Sequence, residues 1–252
     1  MIKHKLLQIS SRDRDLAASA STSDFIVTLN NSEGLQACKS VVVKAITLPN
    51  VFYNISSLDG NDKFTYAIAG VPTTITIPEG QYTITTLLSA LEASASAIGL
   101  NATFDGLNYK VSFTTTTAIE FLDLSQGNGM AEVLGIEING GSGGDVLSFA
   151  ATGLVSLEGV RNVYVESSIL GESNLIRSNN TTSSMIAVVP ITVPFGATEH
   201  YISQHSEIDD VDAVSKRYGK NIQKIDIKLR DHDGHVLSLA GHHVTLIIKI
   251  YY

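Results

Sequence analysis

The chain closes on Ile222-Gln-Lys-Ile-Asp-Ile-Lys-Leu-Arg230, then Asp231-His-Asp-Gly234, His235-Val-Leu-Ser-Leu-Ala-Gly241 and His242-His-Val-Thr-Leu-Ile-Ile-Lys-Ile-Tyr-Tyr252. Ile225, Ile227 and Leu229 alternate with Asp226, Lys228 and Arg230. A period of two marks a strand with one buried and one wet face. Val244–Tyr252 is rich in β-branched and aromatic residues, which suit a second strand. Asp233-Gly234 between the two runs signals a hairpin, because Gly accepts the positive φ of a tight turn. The last run ends the sequence, so it is expected inside a sheet, paired with something much earlier. The stretch predicts an all-β protein closed by long-range pairing.

Working outward, Asp24–Leu29, Lys39–Leu48, Val160–Glu166, Ser184–Pro190 and His200–Ser203 also read as strands. Together with the closing stretch they make roughly eight or nine, enough for a single jelly-roll β-sandwich. Residues 1–23 hold a short apolar alternation at Leu6, Leu7 and Ile9 followed by charged and small residues, and read as an extended N-terminal arm, with an edge strand at most. The sandwich is assigned to 24–58 and 159–252.

Residues 59–158 differ in kind and read as an inserted α+β domain. Phe64–Ala69 and Thr73–Pro78 form a strand pair. Ile84, Leu87, Leu88, Leu91, Ala95 and Ile98 then repeat at helical period. Thr83 or Thr85 caps that helix and Gly99 ends it. Strands follow at Ala102–Phe104, Tyr109–Thr114 and Ala118–Leu122, and a short helix at Gly129–Leu134. Asn139–Gly144 has the composition of an exposed tip or linker.

The 252 residues carry a net charge of −8, with 44% hydrophobic and 17% charged residues. Such a chain folds, and it lacks the basic face of a nucleic-acid binder. Lys3, Lys5, Arg12 and Arg14 lie among Asp13 and Asp15 and read as a solvated arm, with contact to a phosphate polymer as the alternative. Cys38 is the only cysteine, which excludes an internal disulfide and suits a reducing compartment. It opens an apolar strand, where a buried structural thiol is expected. Met1–Asp15 lacks the apolar run of a secretory signal, and no stretch approaches the roughly 20 apolar residues of a membrane span. The sequons at Asn30, Asn54, Asn101, Asn179 and Asn180 are therefore expected to stay unmodified. There is no Trp for sugar stacking, although Tyr53, Tyr82 and Tyr109 are candidates for it.

His232, His235, His242 and His243 crowd the closing stretch beside Asp231 and Asp233. A metal site needs such ligands to converge. Turn chemistry is the better account, with Asp side chains holding nearby N–H groups and Gly234 supplying φ > 0. His242 and His243 are adjacent, so on a regular strand they point to opposite faces and cannot share one ion. A cupin-type enzyme would show His-x-His, and an EF-hand a Glu where His242 stands. No Gly-x-Ser-x-Gly, phosphate loop or dinucleotide fingerprint occurs. The acidic cluster Glu207, Asp209, Asp210 and Asp212 reads as a solvated loop, with a divalent cation or a basic neighbour as the alternative. Arg12, Arg14 and Asp24 are candidates for ion pairs between protomers. No catalytic, cofactor or metal residues are assigned, and no cofactor is expected.

Three stretches taken in order resemble a known family. The first holds Ile9-Ser-Ser-Arg-Asp-Arg-Asp15, Ser23-Asp-Phe-Ile-Val-Thr-Leu29 and Val41-Val-Val-Lys-Ala-Ile-Thr-Leu-Pro-Asn-Val-Phe-Tyr-Asn-Ile55. The second runs Ile77-Pro-Glu-Gly-Gln-Tyr-Thr-Ile-Thr-Thr-Leu-Leu-Ser-Ala-Leu91, with Val-Leu-Gly135 beyond it. The third is Asn162-Val-Tyr-Val-Glu-Ser167, Met185-Ile-Ala-Val-Val-Pro-Ile191 and Leu229-Arg-Asp-His-Asp-Gly-His-Val-Leu-Ser-Leu-Ala-Gly241. This set resembles the penton (minor capsid) proteins of virophages and Polinton-like DNA viruses. The resemblance implies a structural, non-enzymatic jelly roll that forms a homopentamer at the fivefold vertices of an icosahedral capsid. Its partners would then be copies of itself, hexon-type major capsid capsomers and, through an outward-projecting insert, a host receptor. A receptor- or glycan-binding spike of a virion is the alternative. The arm would touch neighbouring capsid proteins, so a protomer lacking residues 1–20 is expected to fold but to enter particles poorly.

Overall fold

The structure, a computed structural model, describes residues 4–29, 35–38, 40–171, 175–176, 182–203 and 220–251. The acidic cluster Glu207–Asp212 and the Cys38 side chain lie outside what it describes. The chain divides into two compact units, Met1–Phe52 with Val160–Tyr252, and Tyr53–Gly159.

The first unit begins with β1 (His4–Ser10), β2 (Asp24–Thr28), β3 (Leu35–Cys38) and β4 (Ser40–Pro49). The second unit contains β5 (Lys63–Ile68), β6 (Val71–Thr76), α1 (Ile84–Ser94), β7 (Asn101–Asp105), β8 (Lys110–Phe121), α2 (Ala131–Leu134) and β9 (Val146–Ala150). The first unit resumes with β10 (Asn162–Glu166), β11 (Leu175–Ile176), β12 (Thr182–Ser183), β13 (Met185–Pro190) and β14 (Thr198–Ile202). It ends with β15 (Lys220–Ile222), β16 (Lys224–Arg230) and β17 (Thr245–Tyr251).

Two four-stranded sheets, β1-β17-β4-β14 and β13-β10-β16-β2, make the sandwich. The antiparallel pairs are nested. β1 pairs with β17, β2 with β16, β4 with β14 and, innermost, β10 with β13. One long antiparallel hairpin rolled on itself gives this order, which is the jelly roll. Alternation fills the space between the sheets: Ile9, Phe25, Ile46, Leu48, Val163, Val165, Ile225, Ile227, Leu229, Leu246, Ile248 and Ile250 form one buried cluster. Each such side chain contributes roughly 1.5–3 kcal/mol by leaving water.

Two expectations change here. The closing stretch is not a hairpin, because β16 and β17 lie in different sheets. Asp233-Gly234 does turn the chain, but only far enough for a single bridge between Arg230 and Val236. Leu237 and Leu239 then bury in the core while the chain crosses between sheets, so apolar burial overrides the local turn signal. The segment 1–23 is likewise not an arm throughout. Residues 4–10 pair with β17 along its whole length, and Ile9 is buried in the core.

In the second unit, β6-β5-β8-β7 form a sheet with β9 on β8. Its core is separate, built on Phe64, Leu87, Leu91, Phe113, Phe121 and Leu134 among others. Thr83 caps α1 through a reciprocal capping box with Thr86. The helix ends at Ser94, and a 3-10 turn at Ser96–Ile98 leads to Gly99 at φ 60°. The two strands expected at Tyr109–Thr114 and Ala118–Leu122 are one, β8, because the intervening threonines are β-branched and stay extended. Asn139–Gly144 is no free linker. A Cβ on Gly141 would stand 2.5 Å from the Phe121 carbonyl oxygen, and Ser142 exchanges hydrogen bonds with the Phe121 backbone. Glycine is there for close approach.

Candidate functional site

The closing turn is built from Asp231, which is buried. Its Oδ1 accepts the His235 N–H at 2.8 Å, and its Oδ2 lies 3.1 Å from His235 Nδ1. Gly234 sits at φ 93° and donates its N–H to the Asp231 carbonyl at 3.3 Å. Arg230 donates to Glu166 on β10 at 3.0 Å and to the Gly234 carbonyl. His232 is exposed and meets Asp233 at 3.2 Å. Asp231 and Gly234 thus do turn work, and the turn is tied to the neighbouring strand.

The outer face of β13-β10-β16-β2 is a charge ladder. Glu166 stands opposite Lys228, and Lys228 opposite Asp24. Lys228 pairs with Asp24 at 3.2 Å, so Asp24 is engaged within its own protomer. Such exposed pairs stabilise by about 0.2–1 kcal/mol each. Asp226 departs from this face's wet character, being only 8% exposed. Its oxygens accept from the Ser167 and Ser168 hydroxyls at 2.9 and 2.7 Å and from the Ser168 and Ile169 N–H groups at 2.9 and 3.0 Å. Burial pushes its pKa up, but these donors outweigh burial and hold the carboxyl below the ordinary aspartate value. Alternation alone marked Asp226 as solvent-facing; the serines that claim it are 58 and 59 positions away.

His242 and His243 precede β17 and are not part of it, so strand alternation does not separate them as expected. Both line one concavity with Arg12. The Ser11 hydroxyl lies 3.1 Å from His243 Nδ1, and its oxygen accepts the Val244 N–H at 3.1 Å. Burial, then the charges of Arg12, Arg14 and His242, hold the His243 imidazole below its usual pKa. Arg14 donates to the Ser11 carbonyl at 2.9 Å. No sequence signal joins Arg12 to these histidines; only the β1–β17 pairing does.

Of the tyrosines, Tyr53 is exposed, Tyr82 donates its hydroxyl to the Pro78 carbonyl at 2.8 Å, and Tyr109 sits edge-on to Phe104 with centroids 5.9 Å apart. Among the described residues no helix is long and apolar enough to cross a membrane.

Nested pairing across two four-stranded sheets, with a second unit between β4 and β10, defines a single jelly-roll protein with an insertion. The crystal structure of the mavirus penton protein is similar over 99% of this chain and 99% of that one, with a TM-score of 0.55 and 10% identity. The cryo-EM structure of the Sputnik virophage gives a match covering 98% of this chain and 97% of that one, with a TM-score of 0.48 and 11% identity. No family model and no curated protein matches the chain. The similarity to the mavirus penton protein thus holds at the level of the fold.

Proposed function

We propose that the chain is a structural capsid protein of a virion, a penton that closes as a homopentamer at the fivefold vertices of an icosahedral capsid. The observation that carries this reading is the jelly roll with its second unit, shared with the mavirus penton protein over 99% of both chains. A fivefold ring is a closed cyclic assembly whose protomers meet through two different surfaces. The sandwich supplies two dissimilar outer faces. One bears the Glu166–Arg230 and Lys228–Asp24 pairs, and the other carries hydroxyls with Leu6 and Ile202 at 60% and 71% exposure. Hexon-type capsomers would flank the ring. The inserted part, expected at 59–158, would project outward towards a host receptor. A single cysteine suits assembly in a reducing host compartment. Native mass spectrometry tests the reading: the expected species is five 26.9 kDa protomers, and a trimer, or a monomer at all concentrations, overturns it.

A further inference from the structure

The outer side of β1-β17-β4-β14 holds a concavity of about 540 Å³, within the ~300–1,000 Å³ of small-ligand pockets. It lies wholly in the first unit. Its floor is a row of hydroxyls. Ser10 stands opposite Thr245, and Thr245 opposite Thr47. Their sequence neighbours Ile9, Leu246 and Ile46 point into the core, so these three face out. Arg12, His242 and His243 form the wall, with Asp13 as the single carboxylate.

Hydrogen bonding fixes what the wall presents. The Ser11 oxygen accepts the Val244 N–H, so its own proton is free to go to His243 Nδ1. In the tautomer that accepts this proton at Nδ1, neutral His243 carries its own on Nε2. His242 is exposed and its ring makes no hydrogen bond among the described residues; the Arg12 guanidinium likewise has no ion-pair partner there, Asp13 included. Three donors that are cationic or can become so thus face one carboxylate, in a chain whose net charge is −8. No Phe, Tyr or Trp lines the concavity, which disfavours a neutral sugar, and the excess of donors disfavours a cation.

We propose that this concavity binds a small oxyanion, a phosphate or a carboxylate, through Arg12, His242 and the Nε2–H of His243. The site rests on the sandwich geometry and not on the capsid role. Burial first, and then the repulsion of Arg12, Arg14 and His242, hold His243 below its usual pKa, and a bound anion offsets the repulsion. His200, 3.3 Å from Thr47 Oγ1, adds a further titratable group at the floor, and Asp13 opposes the anion. The anion therefore favours the protonated form of His243. By linkage, acidification tightens binding by the same factor. When His243 is protonated, its Nδ1–H donates to Ser11 Oγ, whose second lone pair is open.

The test is a titration of the full chain with inorganic phosphate and, separately, with acetate at constant ionic strength, following histidine ring nitrogens by NMR. Saturable shifts of His242 and His243 with a Kd on the order of 1 mM are expected. Affinity for acetate, whose charge is constant over this range, should be higher at pH 6 than at pH 8. Arg12→Gln, at an exposed position, should weaken binding about tenfold, the loss of ~1.4 kcal/mol, without altering the melting temperature. His232→Gln should change nothing. Binding of phosphate alone assigns the site to phosphate; binding of both admits a carboxylate. Absence of saturable shifts with either anion, or equal binding by Arg12→Gln, overturns the proposal.

Discussion

Asp226 illustrates how one buried carboxylate fixes a connection. Four hydrogen bonds run from Ser167, Ser168 and Ile169 to its two oxygens, pinning the chain that leaves β10 onto β16. Asp226→Ala strands those donors and is expected to cost about 1–3 kcal/mol, read as a lower denaturation midpoint at an unchanged slope. Its folded pKa lies below the ordinary aspartate value because the donors outweigh burial. Its contribution is therefore fully present above about pH 4 and fades as pH falls through the folded pKa. The wild-type protein should lose stability in that acid window faster than Asp226→Ala. Parallel stability curves between pH 5 and 2 would contradict this.

Among the elements, β1 changes the most between expectation and structure. Seven residues paired with β17, plus a buried Ile9, make it part of the sandwich. Deleting residues 1–20 is now expected to abolish cooperative unfolding, where a free arm would have left the protomer intact. Ile9→Ala alone should cost about 2–5 kcal/mol, and calorimetry checks both. In the second unit, a Cβ on Gly129 would stand 1.9 Å from the Gly60 carbonyl oxygen. Gly129→Ala must shift backbone against backbone, so about 2 kcal/mol or more of destabilisation is expected. Methyl NMR of Ile77 and Leu134 in the second core should register the change.

For the whole molecule, the two buried clusters share no member, and the ends of the second unit meet. A Cβ on Gly159 would lie 3.5 Å from Asn54 Cα. Replacing Tyr53–Gly159 by a short Gly/Ser linker should therefore leave a folded sandwich with its own sharp melting transition. Under the proposed pentamer, a pentameric variant would assign the ring contacts to the sandwich, and a folded monomer would assign them to the second unit.

Most of the strands, the long helix and the change of character within the chain were legible in the sequence by itself, though β9 was not. Those are local properties. Ile225, Ile227 and Leu229 alternate wherever they fold, and the α1 stripe repeats at its own period. Turn chemistry at Asp231–Gly234 was legible for the same reason. Only the tertiary structure decided which strand lies beside which. Thr245 meets Ser10 across 235 positions, and nothing in either short segment names the other. Burial of Leu237 and Leu239 sent β17 into the opposite sheet from β16, against the hairpin that Asp233-Gly234 favours. The same pairing brought Arg12 to His242 and His243. Their shared concavity was not written in any local pattern, because it exists only where the first strand closes on the last.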